Sequence, residues 1–361
     1  MSYLECYKYE ETPPLSPSQR VLIIDMPDLV MRKILEEVDL VSIMILRKVC
    51  RAFRNYIDDT KPDSKLNGLA IYVRSDSIRV SYEYFLSKPL RSKMVTIRYK
   101  NKRIGFDIFC EDMQRVLGNQ KTPFSQFLIF NPEYESNIKE APSLNFFQKS
   151  LEHVCCRRTP KNTETYPSQY ENSIAMHTKV FDCILETLKS RKHPLQVSSL
   201  YISVNGQDRL ETLMEHVESR ELTYLTINDP RNENHATVKC ELNLDVLKNF
   251  GNLKGLKVHY SLITSSLETL SHILIIEGTF KKITATDIIA KIETHLKSTP
   301  YFRDHLIKYD EFPDESRLFE LFGTPFDQSS GRAKWEFNFP KSQRKLVVTL
   351  TPAWVEFNIS Y

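Results

Sequence analysis

Few residues in this sequence are arranged in a way that could do chemistry. His153, Cys155 and Cys156 come nearest to a metal-ligating cluster. Adjacent cysteines are poor zinc ligands without a second pair, and the sequence has no Cys-x-x-Cys spacing, so ordinary thiols are the better interpretation. The serine-hydrolase elbow, the phosphate-binding loop, the zinc-protease helix motif and the dinucleotide fingerprint are also missing from the sequence. We therefore predict no catalytic residues, no metal site and no cofactor.

Composition narrows the class of protein. Glycine makes up only 9 of 361 residues, which disfavours a nucleotide enzyme because phosphate-binding loops rely on glycine. The 17 Tyr and 20 Phe favour sheet-containing structure and protein contact surfaces, and a net charge of +3 calls for no nucleic-acid or membrane partner. The 7 cysteines are odd in number and irregularly spaced, so we expect reduced thiols in the cytoplasm or nucleus.

One charged segment could bind a ligand. The basic strip, residues 88–103, carries seven Lys and Arg residues and no acidic residue. It could dock an acidic or phosphorylated target or contact nucleic acid weakly, or it could be a strand edge that charge protects from self-association. We favour the strand edge, because only Tyr99 could stack on a base and the whole chain is close to neutral.

The elements before residue 60 are helical. Residues 1–20, rich in Pro, Ser and Glu, predict a disordered lead. Residues 21–60 predict a three-helix domain, because Asp25 and Asp39 can cap helices and apolar residues recur at helical spacing after each of them.

Residues 66–361 follow a different pattern. Three strands are predicted between residues 69 and 99, and the polar residues 131–175 predict a long loop or an irregular insertion. From residue 180 to residue 307, a helical face followed by a short Leu-x-x-Leu-x-Ile/Val strand recurs at a spacing of about 25 to 33 residues, which is typical of leucine-rich-repeat-like solenoids. Three further strands after residue 334 predict an antiparallel meander that caps the last repeat. The predicted fold class is α/β, with an N-terminal helical domain followed by this irregular, capped solenoid.

Residues 23–58 resemble an F-box. That family's pattern begins with Leu-Pro and ends with Arg-x-Val-Cys/Ser-Arg-x-Phe-Arg, and this sequence has Met26-Pro27 followed by Arg47-Lys48-Val49-Cys50-Arg51-Ala52-Phe53-Arg54. The remainder resembles the FTH domain of the nematode F-box A family. Three stretches carry that resemblance: Leu185 to His193, Tyr309 to Phe312 followed by Leu318 to Phe326, and Lys334 to Phe337.

The resemblance implies a substrate-recognition adaptor of an SCF-type (Skp–cullin–F-box) E3 ubiquitin ligase, with no chemistry in this chain. The F-box would bind a Skp-type adaptor, which joins a cullin and a RING subunit, and the C-terminal domain would bind a target protein. Two alternatives stay open: an F-box scaffold that acts outside any cullin complex, and a nucleic-acid-binding protein that uses the basic strip. No stretch approaches the roughly 18 apolar residues that a membrane-spanning helix needs.

Two sets of residues are predicted to make the protein contacts. The first set supplies apolar contacts to the adaptor, either directly or by shaping the helices: Met26, Pro27, Ile34, Leu35, Leu40, Leu46 and Val49. The second set lies on the repeat strands and would contact the target, because alternation turns these side chains away from inward-pointing residues such as Leu200 and Ile202: Tyr201, Tyr224, Lys257 and His259. An equally supported interpretation is that the two tyrosines only pair across neighbouring strands.

Overall fold

A computed structural model describes most of the chain, namely residues 23–85, 92–100, 103–131, 167–231, 239–298, 305–329, 331–340 and 342–360. The chain forms two compact units, one up to Asp63 and one from Ser64 onward. The predicted disordered lead, most of the 131–175 insertion, and the trio of His153, Cys155 and Cys156 lie outside the described residues.

The first unit is helical, as the sequence predicted. A short 3-10 helix (Ile23–Asp25) precedes α1 (Asp28–Glu37), α2 (Leu40–Val49) and α3 (Arg51–Thr60). Asp39 caps α2, because its carboxylate accepts a hydrogen bond of 2.9 Å from the backbone N–H of Ser42.

The second unit is built on one large mixed sheet. Its strands in chain order are β1 (Gly68–Val73), β2 (Ser77–Phe85), β3 (Ser92–Lys100), β4 (Phe124–Phe130), β5 (Val197–Ser203), β6 (Tyr224–Asn228), β7 (Cys240–Leu242), β8 (Gly255–Ile263), β9 (Ile275–Lys282), β10 (His305–Glu311), β11 (Asp327–Ser329), β12 (Arg332–Asn338), β13 (Lys345–Leu350) and β14 (Trp354–Ser360). The α-helices described in this unit are α4 (Arg103–Asn119), α5 (Pro167–Lys189), α6 (Gln207–Glu215), α7 (Ala285–Lys297) and α8 (Ser316–Phe322).

The sheet has a parallel centre and antiparallel flanks. Its strand order is β11-β12-β13-β14-β10-β9-β8-β6-β5-β4-β1-β2-β3, and β7 pairs with β8 off this path. In the series β1, β4, β5, β6, β8, β9 and β10, each strand pairs in parallel with the following member of the series. The predicted C-terminal strands are present, and β14 pairs antiparallel with β10, so the meander extends the sheet sideways.

A main layer of the core lies on one face of the central strands. Strand register places Leu200, Leu225 and Leu256 side by side, and Ile202, Ile227 and Val258 form a second row two residues further along. All six side chains are buried. Because side chains alternate along a strand, the recurring Leu-x-Ile/Val pattern sends both apolar residues to this face. Burial of each such side chain stabilises the unit by about 1.5–3 kcal/mol relative to exposure.

The structure corrects the prediction for residues 131–175 at its C-terminal end. The α5 helix begins at Pro167, so residues 167–175 are helical rather than part of a loop. The polar residues in this stretch had predicted a loop. At least one of them, Ser173, is instead buried, and its hydroxyl accepts a hydrogen bond of 2.7 Å from the side-chain amide of Asn131. The sequence analysis also assigned no element to residues 103–130, where α4 and β4 lie. No described helix has both the length and the apolar character needed to cross a membrane.

Candidate protein-binding surfaces

The first unit has a small core. Leu35, Ile43 and Ile57, one from each α-helix, pack together, and Val38, Leu46 and Tyr56 border them. Leu35 is only 2% exposed and Leu40 is also buried. These two predicted adaptor contacts are therefore structural residues that shape the helices, which is the second of the two roles the sequence analysis left open.

Several apolar side chains of the first unit point into solvent instead. Of the predicted contacts, Met26, Pro27 and Val49 are exposed, whereas Ile34 and Leu46 are half-buried. Four further large apolar residues of this unit are exposed although they were not among the predicted contacts: Ile23, Leu29, Val30 and Ile45. A signal for Ile45 existed, because α2 reads Leu-Val-Ser-Ile-Met-Ile-Leu-Arg-Lys-Val and is apolar around most of its circumference. A unit of this size has too little interior to bury such a helix on all sides.

The sheet of the second unit brings the four predicted target contacts onto one face. Register aligns Tyr201 with Thr226 and then with Lys257, and it aligns His259 with Asn228. Tyr224 is two residues before Thr226 on the same strand. All four side chains therefore project from the face opposite to Leu200 and Ile202, which we call the outer face.

Tyr201 lies on the outer face as predicted, but it is not available to a partner. Its side chain is 8% exposed and packs with Tyr72, Phe130, Ala70 and Leu128 in an aromatic cluster. The rings of Phe130 and Tyr201 meet edge to face with centroids 5.7 Å apart. The Asn228 amide donates a hydrogen bond to the Tyr201 hydroxyl. The expectation that Tyr201 is exposed is therefore wrong, and the cross-strand interpretation describes this residue, because large aromatic neighbours enclose it.

The other three residues remain more accessible. Tyr224 is 41% exposed, and its ring lies across Gly255 of the neighbouring strand, where an added Cβ would come within 2.7 Å of the ring. Lys257 is half-buried and forms a 2.7 Å ion pair with Glu277. His259 is exposed. The outer face therefore offers Tyr224 and His259 to a partner, with Lys257 between them but engaged with Glu277.

Comparison with known protein families finds two domains in the chain. The F-box domain model matches residues 23–65, and the FTH domain model matches residues 178–325. Together the two models cover more than half of the chain.

The chain therefore carries an F-box domain followed by an FTH domain. Proteins with these two domains are generally non-catalytic adaptors, and an F-box supports binding to a Skp-type adaptor. No curated protein and no solved structure matches the chain significantly.

The domain boundaries of this F-box–FTH protein locate the candidate surfaces. The F-box match contains the exposed apolar helix residues Leu29, Val30, Ile45 and Val49, and the FTH match contains Tyr201, Tyr224, Lys257 and His259. The FTH match begins within α5 and ends before Phe326, so strands β1–β4 and the C-terminal meander lie outside it although they belong to the same sheet.

The described part of this F-box–FTH protein contains no group of three or more His, Cys, Asp or Glu residues placed to hold a metal ion. The four cysteines within it, Cys50, Cys110, Cys183 and Cys240, are free thiols.

Proposed function

We propose that this F-box–FTH protein is the substrate-recognition adaptor of an SCF-type E3 ubiquitin ligase. One observation carries the proposal. Beside the core cluster of Leu35, Ile43 and Ile57, the F-box leaves five apolar side chains exposed: Met26, Leu29, Val30, Ile45 and Val49. Exposed apolar surface on a small domain is characteristic of a permanent binding site, and a Skp-type adaptor is the partner that an F-box selects.

The chain itself would contribute proximity rather than chemistry. The F-box would attach the chain to the adaptor, and the outer face of the FTH-containing unit would bind the target. Two proteins held in one assembly meet at a high effective concentration, so ubiquitin transfer onto a bound target becomes effectively intramolecular. The reaction would take place on the other subunits of the ligase, and this chain would be its non-catalytic part.

We further propose that the central strands form a leucine-rich-repeat-like solenoid. The parallel pairing of strands in chain order and the two rows of Leu and Ile/Val side chains support this view. In such solenoids, each repeat buries its apolar face only against neighbouring repeats.

We also propose a nematode source, which the combination of F-box and FTH domains supports. The free thiols support a location in the cytoplasm or nucleus.

Co-purification of the full-length chain tests this proposal. We expect a tagged chain to retain a Skp-type adaptor, a cullin and a RING subunit, each detected by mass spectrometry. Retention of the adaptor without a cullin would identify the chain as an F-box scaffold that acts outside the ligase. Loss of all three would refute the proposal, provided that the purified chain unfolds cooperatively in the same preparation.

A further inference from the structure

The basic strip contains the last strand at one end of the sheet. β3 pairs with β2 along its whole length, from Ser92 opposite Phe85 to Lys100 opposite Ser77, and no other described strand pairs with it. At the opposite end of the sheet, β11 has only three residues. A long edge strand presents backbone N–H and C=O groups that can pair with an added strand. Within the described residues, the part of β3 from Val95 to Lys100 therefore offers a template for such pairing.

Positive charge accumulates on the outer face beside this edge. Register places Arg79 directly opposite Arg98, and like charges in that position repel. Asp76 forms a 2.7 Å ion pair with Arg98. The pKa of Arg79 is lowered, first by partial burial and then by the nearby charges of Arg74 and Arg98. Anionic side chains arriving at this edge would relieve the repulsion.

Side chains of β3 alternate between two environments. Met94, Thr96, Arg98 and Lys100 are exposed on the outer face. Tyr99 is buried on the other face, where its hydroxyl donates a hydrogen bond of 2.8 Å to Asp112 of α4. An added strand would therefore place every second side chain beside Arg98 and Lys100, and the remaining side chains on the α4 side of the sheet.

The α4 helix provides an apolar surface on that side. It begins directly against the end of β3, because a Cβ at Gly105 would overlap the carbonyl group of Lys100. The Cys110 thiol contacts Cys183 of α5, and Ile108 lies about 200° away around the helix. Because α5 packs over β1 and α4 packs over β3, the Ile108 side of α4 is directed toward the free edge. Ile104, one turn earlier, is 73% exposed, and Ile108 is exposed as well.

We propose that the free edge of β3 binds an extended segment of a partner protein in which acidic and apolar residues alternate. The segment would join the sheet as an additional strand, with its carboxylates beside Arg98 and Lys100 and its apolar side chains beside Ile104 and Ile108. The same basic residues disfavour pairing with a second copy of β3. This inference deepens the proposed function by naming the chemistry of a target, and its test requires no adaptor.

Peptide binding to the full-length chain tests the inference. The probe is a fluorescein-labelled peptide of alternating Val and Glu, and fluorescence polarisation measures its dissociation constant. We expect Arg98→Glu, and separately the pair Ile104→Ser and Ile108→Ser, to raise the dissociation constant at least about tenfold, because each removes one side of the recognition. Binding should weaken as salt rises from about 50 to 300 mM. In an added strand, only every second backbone N–H group of the peptide pairs with β3. Methylation of the backbone nitrogens of either the Val residues or the Glu residues should therefore abolish binding, and methylation of the other set should not.

Matched controls separate this mode from general attraction between charges. Lys248→Glu reverses an exposed charge on a different element and should leave peptide binding unchanged. A peptide of the same composition with its glutamates in one block, and a peptide of alternating Val and Lys, should bind at least about tenfold more weakly. Equal binding of the blocked peptide, unchanged binding after Arg98→Glu, or tighter binding of single-stranded RNA than of the alternating peptide would overturn the inference. Loss of adaptor binding in the co-purification would leave it standing.

Discussion

Arg47 and Asp58 join α2 to α3 through two side-chain hydrogen bonds, of 2.7 Å from Nε to Oδ1 and 2.8 Å from Nη2 to Oδ2. Ile45 and Val49 are each two residues from Arg47, so they lie about half a turn away around the helix. Arg47 faces α3, so these two side chains point away from α3, and Val49 is 64% exposed. The ion pair and the buried side chain of Ile43 mark the side of α2 that faces the rest of the F-box, and Ile45 and Val49 lie on the side left for a partner.

This relationship leads to a prediction for the adaptor interface. The double variant Ile45→Asp and Val49→Asp should abolish adaptor pull-down while the F-box stays folded, because both residues are exposed. Lys48→Glu, a change at an exposed position on the same helix, should retain binding. Leu35→Asp is a poor probe of the surface, because it places a charge in the core and should unfold the F-box. Full adaptor binding by the Ile45/Val49 variant would refute the assigned surface.

The two tyrosines of the outer face should respond differently to substitution. Tyr201→Ser should lower the free energy of unfolding by about 3–5 kcal/mol, because it opens a cavity in the aromatic cluster. Tyr224→Ser should cost less than about 1.5 kcal/mol, because this ring is 41% exposed. Urea unfolding measures both changes. If Tyr224 belongs to the target site, proximity labelling under proteasome inhibition should recover fewer targets with Tyr224→Ser than with the native chain.

Deletion of the F-box tests which of the labelled proteins are substrates. True substrates should be labelled by the full chain and by the F-box-deleted chain, but they should accumulate only with the deleted form. If Tyr224→Ser leaves every such interaction intact, the outer-face proposal fails, and the free edge of β3 becomes the better candidate for target binding.

A buried histidine pair should make the stability of the second unit depend on pH. His295 and His305 approach within 3.2 Å between their Nε2 atoms, and Phe357 packs against both rings. The pKa of His295 is lowered by burial, then by the charge of Lys291 and by His305. The folded state therefore keeps this imidazole neutral, whereas the unfolded chain takes up a proton below about pH 6.5. Stability should fall as the pH drops below that value, and His295 should contribute nothing to this dependence well above it.

Urea unfolding between pH 5 and pH 8, followed by fluorescence, measures this dependence. His295→Phe should reduce the acid slope, because the unfolded chain then has one fewer proton to gain. The exposed His193 provides a control, and His193→Phe should leave the slope unchanged. An unaltered slope in His295→Phe would show that other groups govern the loss of stability in acid.

The C-terminal meander should be needed for the second unit to fold. Deletion of residues 334–361 removes β13, β14 and most of β12, and it leaves the edge of β10 without its antiparallel partner. Phe357 of β14 is fully buried. We expect the truncated chain to be insoluble, and Phe357→Asp to destabilise the full chain strongly, whereas Asn358→Asp at the half-buried neighbouring position should be tolerated. A truncated chain that is soluble and unfolds cooperatively would contradict this prediction.

Several local elements followed from sequence pattern alone. Asp39 marked the start of α2, and the Leu-x-Ile/Val repeats marked β5, β6 and β8, because capping and side-chain alternation depend only on neighbouring residues. The F-box was recognisable for the same reason, since its motif is a continuous segment.

Long-range packing decided the rest. Alternation correctly assigned Tyr201 to the outer face, but only the packed sheet brings Phe130 and Tyr72 against it and removes it from solvent. The polar residue Ser173 was predicted to lie in a loop, but it is part of a helix. Its hydroxyl can be buried there because it accepts a hydrogen bond from Asn131, 42 positions away. Leu35 and Val49 are both apolar residues on F-box helices, yet one is buried and the other is exposed. Burial depends on which side of each helix its neighbours cover, and that arrangement exists only in the assembled tertiary structure.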